Sequence, residues 1–171
     1  MRYLYAFRYK KNRFPMTYQN HFSQIYFPNL TERREHLAIF EAYLKDKTDF
    51  LVILHGGLRL KKRQEIFDEL KHLPNNCRKA ILATGSYIGE GFDEPRLDTL
   101  FLTMPASFKG KIVQYTGRLH RQYKDKTNVV IYDYMDSNIS VLANMHKKRL
   151  KTYKMLGYTI VNSDEELLPG M

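Results

Sequence analysis

The chain has one cysteine, Cys77, in 171 residues. A single thiol excludes an internal disulfide and a metal cage built on cysteines, and it fits the reducing cytoplasm where the protein is expected to reside. No apolar run approaches the roughly 18–20 residues that a membrane span needs, so no membrane partner is expected. The N-terminal stretch MRYLYAFRYKKNRF breaks its apolar content with charge, which excludes a signal peptide. Internal repeats and low-complexity tracts are absent, and there is no clear linker after residue 24. Two pieces of nucleotide chemistry are also missing. There is no phosphate loop of the form G-x-x-x-x-G-K-S/T, and no acidic pair at a strand end that would hold Mg²⁺ and polarise water. KGKI at 109–112 has the Gly-Lys without the first glycine or the hydroxyl, and DEEL at 164–167 lies in a terminal tail.

Acids are in the minority. Against 28 Lys+Arg stand 18 Asp+Glu, a formal charge of +10, which favours a polyanionic partner over acidic or neutral small molecules. With 43% hydrophobic and 13% aromatic residues the chain can bury a core, so disorder is not the expectation. Residues 1–23 carry five basic residues, no acid and many aromatics, and read as an N-terminal arm or inter-domain segment. Residues 24–160 read as one domain, and 161–171 as a polar, acidic tail.

Within that domain short apolar runs alternate with amphipathic stretches. SQIYFPNL, FLVILHG, RKAILATG, RLDTLFLTMP and TNVVIYDYM read as strands. TERREHLAIFEAYLKD reads as a helix with Leu37, Phe40 and Leu44 inward and Thr31 as N-cap. LKKRQEIFDELKHL places Ile66, Leu70 and Leu73 on one face, GKIVQYTGRLHRQ reads as a helix or helical turn, and SNISVLANMHKKRLKTYKMLGY as a long basic helix opened by Ser137 or Asn138. Strand and helix in alternation imply parallel strands joined by crossover helices, an α/β doubly wound sheet with helices on both faces.

In such sheets ligands collect at the carboxyl ends of strands, which directs attention to four segments. HGGLRLKKR offers two glycines for close backbone approach and Arg63 on the first helical turn. TGSYIGEGFDEPRLD has Gly85, Gly89 and Gly91 for sharp turning, with Thr84 and Asp93 able to meet a phosphate and to orient a sugar hydroxyl or an arginine. An ordinary glycine-rich connection is the alternative. QYTGRLHRQ sets Arg118 and Arg121 three apart with Gln114 one turn earlier; two guanidinium groups on one face repel unless an anion lies between or beside them, and a triphosphate suits them, a solvated helix face with chance arginines being the alternative. In DYMDSN, Asp133 and Asp136 could bind metal, but N-capping by Asp136 or Ser137 accounts for them more simply, and no metal site is assigned.

Taken together, ILATGSYIGEGFDEPRLDTLFLTMP, QYTGRLHRQ, LTERREHL and LHGGLRLKKRQ resemble motifs V, VI and IV and the H-G segment of the C-terminal RecA-like domain of superfamily 2 helicases, nearest the bacterial DEAD/DEAH-box and type III restriction-like branch. The likeness spans about residues 24–160. It implies a RecA-like, P-loop-type fold without the phosphate loop, in one half of a composite ATPase. Arg121 would be the arginine finger and Arg118 a second phosphate contact, with Gln114 on the same site. Gly91, Asp93, Gly89 and Glu90 would lie by the nucleotide. Thr84, Gly85, Thr31, Arg33, His55, Gly56 and Arg63 would face a nucleic-acid backbone, with DNA favoured over RNA. ATP and Mg²⁺ would be bound mainly by an N-terminal RecA-like domain of the same full-length protein. Residues alone leave His55 open to a second reading, a packed histidine at a strand end. A non-enzymatic nucleic-acid-binding α/β module is the competing function, and a standalone small NTPase a weaker one, given the missing phosphate loop. The lysines around Lys147, Lys148, Arg149, Lys151 and Lys154 would extend an electrostatic track or simply form a charged outer face, with Leu142, Met145, Leu150 and Tyr153 inward.

Overall fold

The protein is described here by a computed structural model covering residues 2–8, 24–29, 34–84, 93–103, 109–124, 126–135 and 138–162. Its elements in chain order are β1 (Arg2–Arg8), β2 (Gln24–Asn29), α1 (Arg34–Leu44), β3 (Phe50–Leu54), α2 (Leu60–His72), β4 (Lys79–Thr84), β5 (Thr99–Leu102), α3 (Lys109–Leu119), β6 (Val129–Met135), α4 (Ser140–Met155) and β7 (Thr159–Asn162). The strands form one sheet in the order β3-β4-β2-β5-β6-β1-β7, every pairing parallel.

β4 explains why a parallel sheet forms. All six of its residues are buried, which requires cover on both faces, and its side chains alternate between them. Ile81 and Ala83 join Leu70 of α2, Ile112, Tyr115 and Leu119 of α3 and Tyr153 of α4 in one core. Ala80 and Leu82 join Leu37 and Leu44 of α1, with Phe101 and Tyr132 stacked 4.6 Å apart, in the other. Three helices thus cover one face and α1 the opposite one, the doubly wound arrangement expected. Leu37, Leu44 and Leu70 are buried, and Phe40, Ile66 and Leu73 pack at the margins of the same clusters. Among the described residues no helix is long and apolar enough to cross a membrane.

The sheet crosses both boundaries drawn from composition. Arg2–Arg8, set apart as part of an arm, is a strand between β6 and β7, and β7 continues past residue 160 to Asn162. The Tyr-Leu-Tyr-Ala-Phe stretch favours a strand whatever its flanking charge. α4 begins later than its polar prelude suggests: its N-cap position is Ile139, without a side-chain cap, while Asp136, Ser137 and the proposed cap Thr31 of α1 lie outside the described residues.

Arg149 corrects another expectation. It does not lie on an outer basic track but is 2% exposed, giving Nε to Asp133 Oδ2 at 2.7 Å and Nη2 to Asp133 Oδ1 at 2.8 Å. Asp133 is fully buried and its carboxylate is taken up by this bidentate pair, with His146 beside it at 3.6 Å. It therefore neither caps a helix nor has a free face for a metal. Lys147, Lys148, Lys151 and Lys154 do face outward, and Tyr153 inward.

Candidate functional site

Because every strand runs the same way, the sheet has a carboxyl edge and an amino edge, and the candidate residues divide between them. His55 and Gly56 directly follow β3, and Thr84 ends β4, so these three stand at the carboxyl edge. Thr84 is buried; Nδ1 of His55 accepts a hydrogen bond from the amide of Gly57 at 3.0 Å, which orients the ring within its own turn. Arg63 sits in the first turns of α2 with its guanidinium 5.3 Å from the ring centre of Phe67.

Arg118 and Arg121 stand at the opposite edge, contrary to their assignment to a strand carboxyl end. A crossover helix between parallel strands has to travel back along the sheet, so α3 leaves the end of β5 and delivers its own C-terminus to the start of β6. Gln114 is exposed on α3, Arg118 is half-buried in its last turn, and Arg121 lies beyond the helix, which ends at Leu119. The turn is prolonged by the Arg121 amide, which donates to the Arg118 carbonyl at 3.3 Å. The two arginines are therefore neighbours on one turn rather than on one helical face.

Arg121 is ion-paired with Asp93, so the structure unites the two segments that the sequence linked only by motif order. Both partners are open to solvent, Arg121 44% and Asp93 56% exposed in their side chains. Thr31, Arg33, Gly85, Gly89, Glu90 and Gly91 lie outside the described residues.

Around this pair is a frame that sequence reading missed. Arg96, 8% exposed, grips Glu94 through Nε and Nη2, both 2.6 Å from its carboxylate oxygens, and donates Nη1 to the Leu73 carbonyl at 2.8 Å and Nη2 to that of Leu70 at 2.5 Å. It thereby bonds two carbonyls at the C-terminal end of α2, where the helix's own amides run out; that of Leu70 also accepts the Leu73 amide at 3.3 Å. The hydrogen bond from Arg96 to Glu94 leads the influences on the guanidinium and raises its pKa. Tyr123 donates its hydroxyl to Asn75 Oδ1 at 2.7 Å, so the segment after α3 is tied to the same end of α2. Lys126 donates Nζ to the carbonyls of Pro95 at 2.9 Å and Arg121 at 3.0 Å. Burial pushes its ammonium down to about 8, opposed by Asp98 and Glu94. His120 stacks on Tyr158 and shares a 2.7 Å hydrogen bond with its hydroxyl, which fixes the end of α3 to the turn after α4. Glu94 and Arg121 lie close in sequence to their partners, but the contacts that tie these segments to α2, to Pro95 and to Tyr158 come from distant parts of the chain, which local reading does not mark.

An open depression of about 510 Å³ lies along residues from Leu119 to Val129, with Arg121 and Lys126 on its wall. Among the described residues no group of three or more His, Cys, Asp or Glu gathers as a metal site. The arrangement offers an exposed cation on a braced turn, held by an exposed carboxylate. Such a group can exchange that carboxylate for another anion.

The sequence pattern of the helicase conserved C-terminal domain matches residues 18–123. The chain belongs to this family. A relative named "Putative helicase 161L" of Invertebrate iridescent virus 6 is 36% identical over 97 residues, 57% of this chain and 21% of its own length. Transcript termination protein A18 of Yaba-like disease virus is 28% identical over 131 residues, 77% of this chain and 26% of its own. The chain thus spans about a quarter or less of these relatives. The solved C-terminal domain of the DEAD-box protein Dbp5 superposes with a TM-score of 0.59 at 18% identity, covering 84% of this chain and 76% of that one, and the C-terminal part of the Fun30 ATPase domain with 0.58 at 16%, covering 74% and 38%. The fold of this helicase C-terminal domain is accordingly RecA-like.

Proposed function

We propose that the chain is the C-terminal half of an ATP-dependent nucleic-acid translocase, with its amino edge turned to ATP and its carboxyl edge to the nucleic-acid backbone. The observation that carries this reading is the exposed Arg121–Asp93 pair on a braced turn beside Arg118. ATP is the substrate, with its Mg²⁺ bound mainly by an N-terminal RecA-like domain of the same protein. Arg121 is the finger that meets the transferring phosphoryl group when the two domains close, Arg118 contacts the phosphates from the same turn, and Gln114 borders the site from α3. Positive charge delivered only on closure stabilises the charge that accumulates on the phosphoryl oxygens in the transition state.

His55, Gly56, Thr84 and Arg63 at the other edge meet the sugar-phosphate chain, DNA in preference to RNA, and Thr31, Arg33 and Gly85 are assigned to the same contact. Gly89, Glu90, Gly91 and Asp93 border the nucleotide. Phosphate contacts give affinity with little sequence preference, which suits movement along a strand. The test is hydrolysis by the full-length protein. Arg121→Ala is expected to lower nucleic-acid-stimulated ATP hydrolysis by about three powers of ten while affinity for a single strand stays within about twofold. A parent protein that binds nucleic acid but hydrolyses no ATP would favour a simple binding module instead.

A further inference from the structure

An arginine finger acts only where it is placed, and the residue that places Arg121 is not part of the resemblance to known motifs. Lys126 is half-buried, and its ammonium donates to two main-chain carbonyls, those of Pro95 and Arg121. Each belongs to one side of the Asp93–Arg121 pair: Pro95 lies two residues beyond Asp93, and the other carbonyl is that of Arg121 itself. The two segments are therefore joined twice, once by exposed side chains that can part, and once by a half-buried ammonium bonded to both backbones. Arg96 fixes the first segment to the carbonyls of Leu70 and Leu73, and Tyr123 fixes the second to Asn75, so both are referred to the same end of α2.

We infer that Lys126 is a positioning residue for Arg121: it ties the main chain at Arg121 to that at Pro95, so that the guanidinium keeps its place on the turn when it leaves Asp93 for an anion. This rests on the function proposed above. Packing alone does not call for a lysine here, since an apolar side chain of similar length fills the space without bringing a charge out of water. What the lysine adds is a bond to each backbone. A displacement of about 1 Å at a catalytic group can cost up to a hundredfold in rate, so loss of this tie should appear in turnover rather than in substrate binding.

The experiment compares Lys126→Met, Lys126→Arg and Arg121→Ala in the full-length protein, with nucleic-acid-stimulated ATP hydrolysis as one readout. Lys126→Met is expected to lower kcat about tenfold with KM for ATP within about twofold, and Lys126→Arg, which can still donate to both carbonyls, to recover at least half of the loss. In the 171-residue chain alone, the Nε–Hε NMR signal of Arg121 should move in Lys126→Met and return in Lys126→Arg, with far-UV circular dichroism unchanged. An unchanged kcat and Arg121 signal in Lys126→Met would overturn the inference, as would an equal loss in both Lys126 variants accompanied by a lower melting temperature. If Arg121→Ala itself leaves hydrolysis intact, the finger assignment fails and the positioning role with it. A collapse in Arg121→Ala beside a normal Lys126→Met overturns the positioning role alone.

Discussion

Asp93 and Arg121 form an ion pair across the amino edge of the sheet, joining the connection before β5 to the turn after α3. Both side chains are about half exposed, and a pair of that kind is worth at most about 1 kcal/mol because water screens it. The pair is a weak support of the fold, and under the proposed function it is a holding position for the guanidinium. Asp93→Asn and Arg121→Ala should each change the unfolding free energy of the chain by less than about 1 kcal/mol, as measured by urea titration.

Gly117 lies in the last turn of α3, exposed, and a Cβ built there meets nothing within 4 Å. Neither packing within this chain nor an unusual backbone angle calls for a glycine, yet one inside a helix costs roughly 0.5–1 kcal/mol against alanine. Gly117→Ala should therefore raise the stability of the chain by about that amount. If the bare backbone is kept for close approach from outside the chain, the same substitution should lower ATP hydrolysis by the full-length protein. A more stable variant with full hydrolysis would remove Gly117 from the site.

The buried pair of Asp133 and Arg149 behaves in the opposite way. Burial by itself would raise the Asp133 carboxyl, but its contacts with His146 and Arg149 outweigh that and hold it below the ordinary 3.8. Asp133→Ala leaves a buried guanidinium without its counter-charge and should cost about 3–5 kcal/mol, read as a large drop in the urea midpoint. The sign of the pH effect follows from the lowered carboxyl: its contribution to stability is complete above the unfolded value and is lost as pH falls through the folded one. Below pH 4 the difference in stability between the parent and Asp133→Ala should shrink.

Much of this architecture could be read from residues alone. KAILA announces a strand covered on both faces because its apolar run is continuous, and the Leu37–Leu44 spacing announces the inward stripe of α1. β1 was hidden because charge dominates its surroundings and because its partners, Val129–Met135 and Thr159–Asn162, lie far along the chain. Arg149 looked like its lysine neighbours, and only Asp133, on another element, distinguishes it. The edge on which Arg121 stands was legible in principle, since the direction of a crossover helix decides it. Lys126 and Arg96 gave no such sign, as the acceptors that tie them to distant segments, Pro95 for one and Leu70 and Leu73 for the other, are main-chain carbonyls.

Lys126 supplies a pH dependence of its own. Burial lowers its ammonium from 10.5 to about 8, so the folded state disfavours the charged form. The resulting cost is fully present below pH 8 and is relieved as pH rises from about 8 towards 10.5. The Cε resonance of Lys126 should titrate with a midpoint near 8, and melting curves should shift in favour of the parent over Lys126→Met between pH 8 and 10. A midpoint above 10 would mean that burial does not govern the ammonium.

The most direct measurement is a crystal structure of the full-length protein closed on a non-hydrolysable ATP analogue and a single strand. The account predicts the Arg121 guanidinium within roughly 2.7–3.2 Å of a γ-phosphate oxygen, parted from Asp93, with Lys126 still bonded to the carbonyls of Pro95 and Arg121. An Arg121 that stays with Asp93 in a closed complex, while the phosphates are met by no arginine of this chain, would contradict it.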